Sequence, residues 1–207
     1  MKDNLVKVVQ THQFAYWGPY LTVMDADPVF CKKLLKHSKT LKIKHNKSLA
    51  GQLKYEKLFD IKKNPWIEEG LRIYVDTWIE GFRRFSLKDK FNPNPKICSM
   101  WVNYQKAGEY NPVHIHTGSD VSFVLWLKVP KKILQESSDT TAVPPGWISF
   151  FSGEDVWSAN TVKHYEPQEN KIVIFPSSLR HEVMSFKSNV TRISVAGNLT
   201  FFLPHLS

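Results

Sequence analysis

Two histidines separated by one residue, His114 and His116, are the strongest chemical signal in this sequence. They end the alternating apolar run that begins at Trp101, and another such run follows them. In an extended strand, side chains at positions i and i+2 point to the same face, so both imidazoles would aim at one point. This spacing therefore indicates a metal site. The alternative is that two strand-end histidines fall at this spacing by chance.

A third histidine and an arginine strengthen the interpretation as a metal site. Pro176 and two serines interrupt a strand-like run, and His181 stands at the start of the next run. Arg192 comes eleven residues later. It lies in a further apolar run, so we expect its side chain to be buried. An ordinary ion pair between strands is the other interpretation of this arginine.

The residues from Ile97 onward must position these side chains, and they alternate short apolar runs with turn-forming residues. Six or more strands without crossover helices predict an antiparallel sandwich or barrel. Two connections, 131–146 and 152–170, are longer than hairpin loops, so they are candidates for lids or binding loops. The predicted strands are the runs ICSMWVNYQ, DVSFVLWLKV, GWISFFS, KIVIFPS, HEVMSF and TRISVAGNLTFFL.

Two helices are predicted in the first half of the chain. Asp27-Pro28 offers an N-cap followed by proline at the first helical position, which predicts a helix from about 28 to 38. Asn64-Pro65 repeats this signature, and apolar residues then recur at helical spacing to about residue 84.

The rest of the first half carries weaker signals. Two short β-like runs lie between residues 5 and 23, and residues 46–59 fit either a helix or extended chain. With 207 residues, the chain is long enough for one well-buried domain. We expect a single domain over 1–207, in which 1–96 supports a β core at 97–207 that carries the site.

The positive charge is unevenly distributed. The formal net charge is +9, and residues 1–99 hold 19 Lys and Arg against 10 Asp and Glu, whereas the remainder is balanced. This excess predicts an anionic partner at the basic residues 32–63. One alternative is that these basic residues only form a solvated helix face. Another is that the protein is a basic module that binds nucleic acid or protein and that its histidines have no role in a metal site.

Nothing in the sequence predicts export or a membrane span. The first residues lack the apolar segment of a signal peptide, and no run approaches the ~18 apolar residues that a span needs. Cys31 and Cys98 match no zinc or redox spacing, which suits a reducing cytoplasm.

Taken together, these elements resemble the 2-oxoglutarate- and Fe(II)-dependent oxygenases, and more narrowly a group of small oxygenases found in bacteria and their phages. The resemblance includes the segment 46–51, so it covers most of the chain. It implies a mainly β fold with a double-stranded β-helix (jelly-roll, cupin-like) core and N-terminal helices packed on one sheet. The residues that carry it are Trp101-Val102-Asn103, His114-Ile115-His116, Phe175-Pro176-Ser177 with His181, and Arg192-Ile193-Ser194.

The resemblance also implies a reaction and its cofactors. An unknown substrate would be oxidised, by hydroxylation, with 2-oxoglutarate and O2 as cosubstrates and succinate and CO2 as products. The Fe(II) ligands would be His114, His116 and His181. Arg192 would pair with the distal carboxylate of 2-oxoglutarate, and Ser194 would add a hydroxyl donor. Asn103 would bond to the metal-bound end of the cosubstrate.

One departure from the general pattern of these oxygenases concerns the ligands. That pattern has Asp or Glu as its second member, where this chain has His116, so the charge at the metal changes by one unit. Asp120 is the nearest alternative ligand. With Asp120, the spacing also resembles the cupins, which share the fold and include binding proteins and metal enzymes that use no oxoacid. The pair Arg192-x-Ser194 favours the oxygenase.

Overall fold

The computed structural model describes residues 13–14, 18–45, 49–136, 143–154, 157 and 159–202. The helices are α1 (Pro28–Ser38), α2 (Trp66–Ser86) and α3 (Lys131–Leu134). The strands are β1 (Gln13–Phe14), β2 (Thr22–Asp25), β3 (Glu56–Leu58), β4 (Asn94–Gln105), β5 (Asn111–His114), β6 (Val121–Lys128), β7 (Ile148–Phe151), β8 (Val162–Tyr165), β9 (Lys171–Pro176), β10 (Arg180–Val183) and β11 (Arg192–Phe202).

These strands form two antiparallel sheets. The larger sheet has the order β1-β2-β9-β6-β11-β4-β3, and the smaller has the order β5-β10-β7-β8. Apolar side chains from both sheets meet in one core cluster, so the sheets face each other. This is the mainly β, double-stranded β-helix architecture that the sequence predicted.

All six apolar runs that were predicted to be strands are strands, namely β4, β6, β7, β9, β10 and β11. The prediction missed β5, which is too short and polar to stand out. It also took two connections to be loops, but one contains α3 and the other β8. Of the two early β-like runs, the second overlaps β2, while the first lies outside the described residues. The strand β1 lies between the two runs, where no strand was predicted.

Strand alternation divides the larger sheet into two apolar faces. Phe123 and Leu125 of β6 pack in the cluster that contains residues of α1 and α2, whereas Val124 and Trp126 pack in the cluster between the sheets. Successive side chains of a strand point to opposite faces, and here both faces are covered. The helices therefore lie on one face of the larger sheet, and the smaller sheet covers the other.

Helix α1 begins where the sequence predicted. The Oδ1 atom of Asp27 accepts a hydrogen bond of 2.8 Å from the backbone N–H of Val29, and Pro28 stands at the first helical position. Leu34 is completely buried, while the lysines of α1 are exposed. The predicted solvent-facing side of this helix is thus confirmed.

Helix α2 agrees with its predicted range, but its predicted cap is wrong. Pro65 is the N-cap residue, and no side chain caps the helix. The Asn64 side chain instead donates to the carbonyl oxygen of Asp60, so it stabilises the preceding turn. The apolar face of α2 is buried in the core.

No helix among the described residues is long and apolar enough to cross a membrane.

The ambiguous segment 46–59 contains the short edge strand β3, which carries a buried carboxyl group. Glu56 is 2% exposed and lies opposite Asn103 of β4. Burial, and secondarily the charge of Glu109, raise the pKa of Glu56 from 4.5 to about 7. The folded protein therefore holds a proton that the unfolded chain releases at lower pH.

We predict that Glu56→Gln removes part of the pH dependence of stability. Because the folded pKa of Glu56 is raised, its stabilising contribution is fully present below about pH 4.5 and is lost as the pH rises through about 7. The loss should amount to about 2–3 kcal/mol. Urea unfolding at pH 5 and pH 8 measures it, with the exposed Glu69→Gln as control. The prediction would be contradicted if the free energy of unfolding changed by the same amount in wild type and Glu56→Gln between the two pH values.

Candidate metal centre

The three predicted histidines converge in the structure. One ring nitrogen from each of His114, His116 and His181 lies within 4.8 Å of the others. The ring centroids of His114 and His181 are 4.2 Å apart. The ring centroid of His116 lies 5.2 Å from that of His114 and 5.1 Å from that of His181. These distances allow one ion to be held by all three imidazoles.

Strand pairing in the smaller sheet brings two of these histidines together. His114 is the last residue of β5 and lies directly opposite His181 of β10. His116 is not in the strand, contrary to the prediction of an extended H-x-H. It lies two residues past β5, where its backbone N–H donates to the carbonyl oxygen of Ser177 at 2.9 Å. The third ligand position thus depends on the turn after β9.

Backbone carbonyl groups select the tautomer of two histidines. The Nδ1 atom of His114 is 2.7 Å from the carbonyl oxygen of Pro112, and that of His181 is 2.8 Å from the carbonyl oxygen of Leu179. A carbonyl oxygen only accepts hydrogen bonds, so each Nδ1 carries the proton and donates it. The Nε2 atom of each ring keeps its lone pair for a metal, as is usual for histidine ligands.

The histidines are held in their uncharged form. Burial lowers the pKa of His114, and it lowers the pKa of His181 to about 3 with a further contribution from the nearby His114. Burial and His114 likewise lower the pKa of His116 to about 4. At neutral pH all three rings are therefore in the state that metal binding requires.

A network of buried hydroxyl groups supports the turn that carries His116. The Ser177 hydroxyl is 2.9 Å from that of Ser119 and 2.8 Å from that of Ser122, which in turn donates to Oδ1 of Asn198. The backbone N–H of Ser177 also donates to the carbonyl oxygen of Asp120. The predicted F-P-S element therefore ties the turn that follows β5 to the larger sheet.

The carboxylate of Asp120 has another partner. It is exposed, and its Oδ2 atom accepts a hydrogen bond of 2.7 Å from the backbone N–H of Phe201. The cluster of possible metal ligands among the described residues contains the three histidines without Asp120. The geometry therefore gives no support to the alternative ligand set with Asp120.

Arg192 lies in the same cavity as the histidines. This cavity has a volume of about 280 Å³, and Asn103 and Ser194 also line it. Arg192 is 4% exposed and donates to the carbonyl oxygen of Gly146, whose positive φ of 77° favours glycine. Its Nε atom has no partner, and no carboxylate among the described residues pairs with it. Burial lowers its pKa to about 10, so it remains a cation at neutral pH.

Two further predicted residues are neighbours across strands. Ser194 of β11 lies opposite Asn103 of β4 and opposite Trp126 of β6. Ser194 and Asn103 are 3% and 7% exposed, and the Oδ1 atom of Asn103 has no hydrogen-bond partner. A buried polar atom without a partner is costly unless a ligand satisfies it. The two side chains therefore form a polar row in the cavity beside Arg192.

Sequence reasoning missed the part of the cavity formed by the first half of the chain and by Asn111. The residues before β4 that line it are His45, Leu49, Ala50, Gly51, Leu53 and Glu56. The available signals were the resemblance of segment 46–51 to the small oxygenases and the position of Asn111 three residues before His114. Neither shows that β3 pairs with β4, which is the contact that brings Glu56 to the site.

Comparison with known proteins agrees with this geometry. Residues 99–198 match the model of the family described as "Putative 2OG-Fe(II) oxygenase". Those residues include all three histidines, Asn103, Arg192 and Ser194. Among curated proteins, none matches the chain in sequence.

Solved structures of such oxygenases share the fold. A prolyl-4-hydroxylase from Pseudomonas putida is 14% identical, with a TM-score of 0.55 over 87% of this chain and 91% of that one. The collagen prolyl hydroxylase of Paramecium Bursaria Chlorella virus-1, solved as its 2-oxoglutarate complex, is 14% identical, with a TM-score of 0.56 over 88% and 96%. HygX from Streptomyces hygroscopicus, with nickel and 2-oxoglutarate bound, is 8% identical, with a TM-score of 0.53 over 90% and 83%. Residues 99–198, which contain the histidine cluster and Arg192, thus make this chain similar to the 2OG-Fe(II) oxygenases.

Proposed function

We propose that this oxygenase binds one Fe(II) through His114, His116 and His181 and hydroxylates a C–H bond of its substrate. The observation that carries the proposal is the occurrence, in one cavity, of three uncharged imidazoles and a buried guanidinium that pairs with no carboxylate of the described residues. Together, Fe(II), 2-oxoglutarate and O2 supply the oxidation, and 2-oxoglutarate is converted to succinate and CO2.

The donor set fits Fe(II). Imidazole is a suitable iron ligand, and three ligands on one side of the ion leave positions for the cosubstrates. Because all three ligands are neutral, the site keeps one more positive charge than a site with two histidines and a carboxylate. That charge favours the anionic 2-oxoglutarate, whose carboxylates would balance it.

Arg192, Ser194 and Asn103 are proposed to bind 2-oxoglutarate. The guanidinium of Arg192 would pair with the distal carboxylate, since its Nε donor is unused. The Ser194 hydroxyl would donate to the same carboxylate. Asn103 would bond to the metal-bound end through its amide, which holds the cosubstrate in one orientation. The apolar Trp126 and Ile148 also line the cavity and would exclude water.

We propose two further properties of the whole chain. Residues 1–207 would act as one domain, because apolar residues from before and after position 96 share one core. The protein would work in a reducing cytoplasm, where Cys31 and Cys98 stay as the free thiols of the structure.

An anionic partner is proposed to dock on the basic residues 32–63. Lys32, Lys33, Lys36 and Lys39 are all exposed on α1 or just beyond it. The Nζ atom of Lys33 lies 4.0 Å from the ring centroid of Trp66. A polyanion would be drawn to this face by its charge.

We predict that His114→Ala and His181→Ala lose Fe(II) at the concentration where the wild type holds one ion per chain. Asp120→Ala should retain iron, because the Asp120 carboxylate bonds to Phe201 rather than facing the cluster. Anaerobic equilibrium dialysis with iron analysis measures this, and circular dichroism checks the fold. A loss of iron in Asp120→Ala as large as in His181→Ala would instead support the cupin-like ligand set.

We predict that Arg192→Ala weakens 2-oxoglutarate binding without removing iron. Loss of the charged partner of a buried carboxylate costs about 2 kcal/mol or more, which is at least about 30-fold in Kd. Calorimetric titration of the Fe(II) protein without O2 gives this Kd, and the exposed Arg72→Ala is the matched control. An unchanged Kd in Arg192→Ala would remove the assignment of this residue.

We predict that replacing Lys32, Lys33, Lys36 and Lys39 together by Gln reduces binding to immobilised heparin and flattens its salt dependence. The matched control removes four exposed lysines elsewhere, namely Lys128, Lys131, Lys132 and Lys187. Heparin elution at the same salt concentration for both quadruple variants would show that net charge alone, and not this face, determines binding.

A further inference from the structure

One corner of the cavity is built around a glycine. A Cβ atom at Gly51 would overlap Oδ1 of Asn111 and would lie 3.2 Å from Oε1 of Glu56. Two oxygen atoms thus flank one point on the cavity wall. The chain passes this point so closely that a side chain at position 51 has no room, although the backbone there needs no positive φ.

The two oxygen-bearing side chains are placed by opposite sheets. Glu56 belongs to β3 of the larger sheet and lies across from Asn103, so both side chains point into the cavity. Asn111 begins β5 of the smaller sheet, three residues before His114, which is a distance of about 10 Å along a strand. The corner therefore lies beside the proposed iron site, on β3 and β5 rather than on the strand that holds Arg192.

A second carboxylate holds this wall in place. Glu109 is 8% exposed and accepts hydrogen bonds from the backbone N–H groups of Lys54 and Lys106, at 3.1 Å and 2.9 Å. The backbone N–H of Gln52 also donates to the carbonyl oxygen of Tyr110. Segment 52–54 is thus joined to the residues that lead into β5. Burial raises the pKa of Glu56, and the nearby Glu109 raises it further.

The surroundings of this corner are apolar and aromatic. The ring centroids of His45 and Trp101 are 5.7 Å apart, and those of Trp101 and His116 are 5.8 Å apart. A row of rings therefore leads from the corner to the histidine cluster. Leu49 and Leu53 line the same side of the cavity. Burial lowers the pKa of His45, so this ring adds no positive charge.

We propose that this corner is a substrate subsite that binds an alkylammonium group, with Glu56 and Asn111 as its acceptors. At pH 8, above the raised pKa of about 7, the Glu56 carboxyl is ionised. A carboxylate, an amide oxygen and aromatic faces all favour a cation, and the leucines suit an aliphatic stem. The substrate is then an aliphatic amine, such as a lysyl side chain or a free diamine. The inference rests on the proposed function, because it names the substrate class of the same cavity.

The test compares two probes of equal length, pentylammonium and 1-pentanol, by calorimetric titration at pH 8 of the Fe(II) protein with 2-oxoglutarate and without O2. We expect the wild type to bind pentylammonium at least 10-fold more tightly than 1-pentanol. Glu56→Gln should remove this preference, and the exposed Glu69→Gln should keep it. Gly51→Ala keeps the carboxyl group but fills the corner, so it should weaken pentylammonium binding as well. Thermal unfolding confirms that each variant is folded.

Three results would overturn the subsite. They are equal affinity of the wild type for both probes, undiminished pentylammonium binding by folded Glu56→Gln, and no binding of either probe. The affinity for 2-oxoglutarate, measured in the same samples, tests the proposed oxygenase function separately. Normal 2-oxoglutarate binding without a preference for the amine would reject the subsite alone. Comparing Nα-acetyl-lysine amide with 1,5-diaminopentane then distinguishes a lysyl side chain from a free diamine.

Discussion

The register between β5 and β10 is the constraint on which the site depends. It places His114 directly opposite His181, and the carbonyl groups two residues before each histidine keep both rings in the same tautomer. A slip of one residue would turn one imidazole to the other face of the sheet. The third histidine of the cluster, His116, lies beyond the strand, and its position depends on its backbone bond to Ser177. Pairing and a single turn thus give the cluster its geometry.

The larger sheet supplies the other half of the cavity. Its strand β11 starts at Arg192 and pairs with β4 and β6, so Ser194 stands between Asn103 and Trp126. The helices cover the outer face of this sheet, which leaves its inner face to the cavity and the smaller sheet. Arg192 is buried, and no carboxylate in the part of the chain that the structure describes pairs with it, which is costly for a charged group. An anionic cosubstrate would offset that cost.

Local patterns in the sequence predicted much of this arrangement. The H-x-H spacing, His181 and Arg192 identified four residues that meet in one cavity, and alternation identified the strands that carry the last two. The strand β5 was not predicted because its four residues include a proline and an asparagine, which are rare in strands. Its strand conformation depends mainly on its pairing with β10.

What the sequence did not predict depends on contacts between distant segments. Glu56 lay in a stretch that fitted a helix or a strand, and only its pairing with Asn103 brings it to the cavity. The Asn64 cap failed because its side chain bonds backward to Asp60, which competes with capping. Neither contact leaves a periodic signal in the local sequence.

The most direct test of the central claim is an anaerobic titration of the Fe(II)-loaded protein with 2-oxoglutarate, followed by visible metal-to-ligand absorption. The account predicts a band that grows until one 2-oxoglutarate is bound per iron and per chain. A protein that holds Fe(II) but develops no band on saturation with 2-oxoglutarate would contradict it.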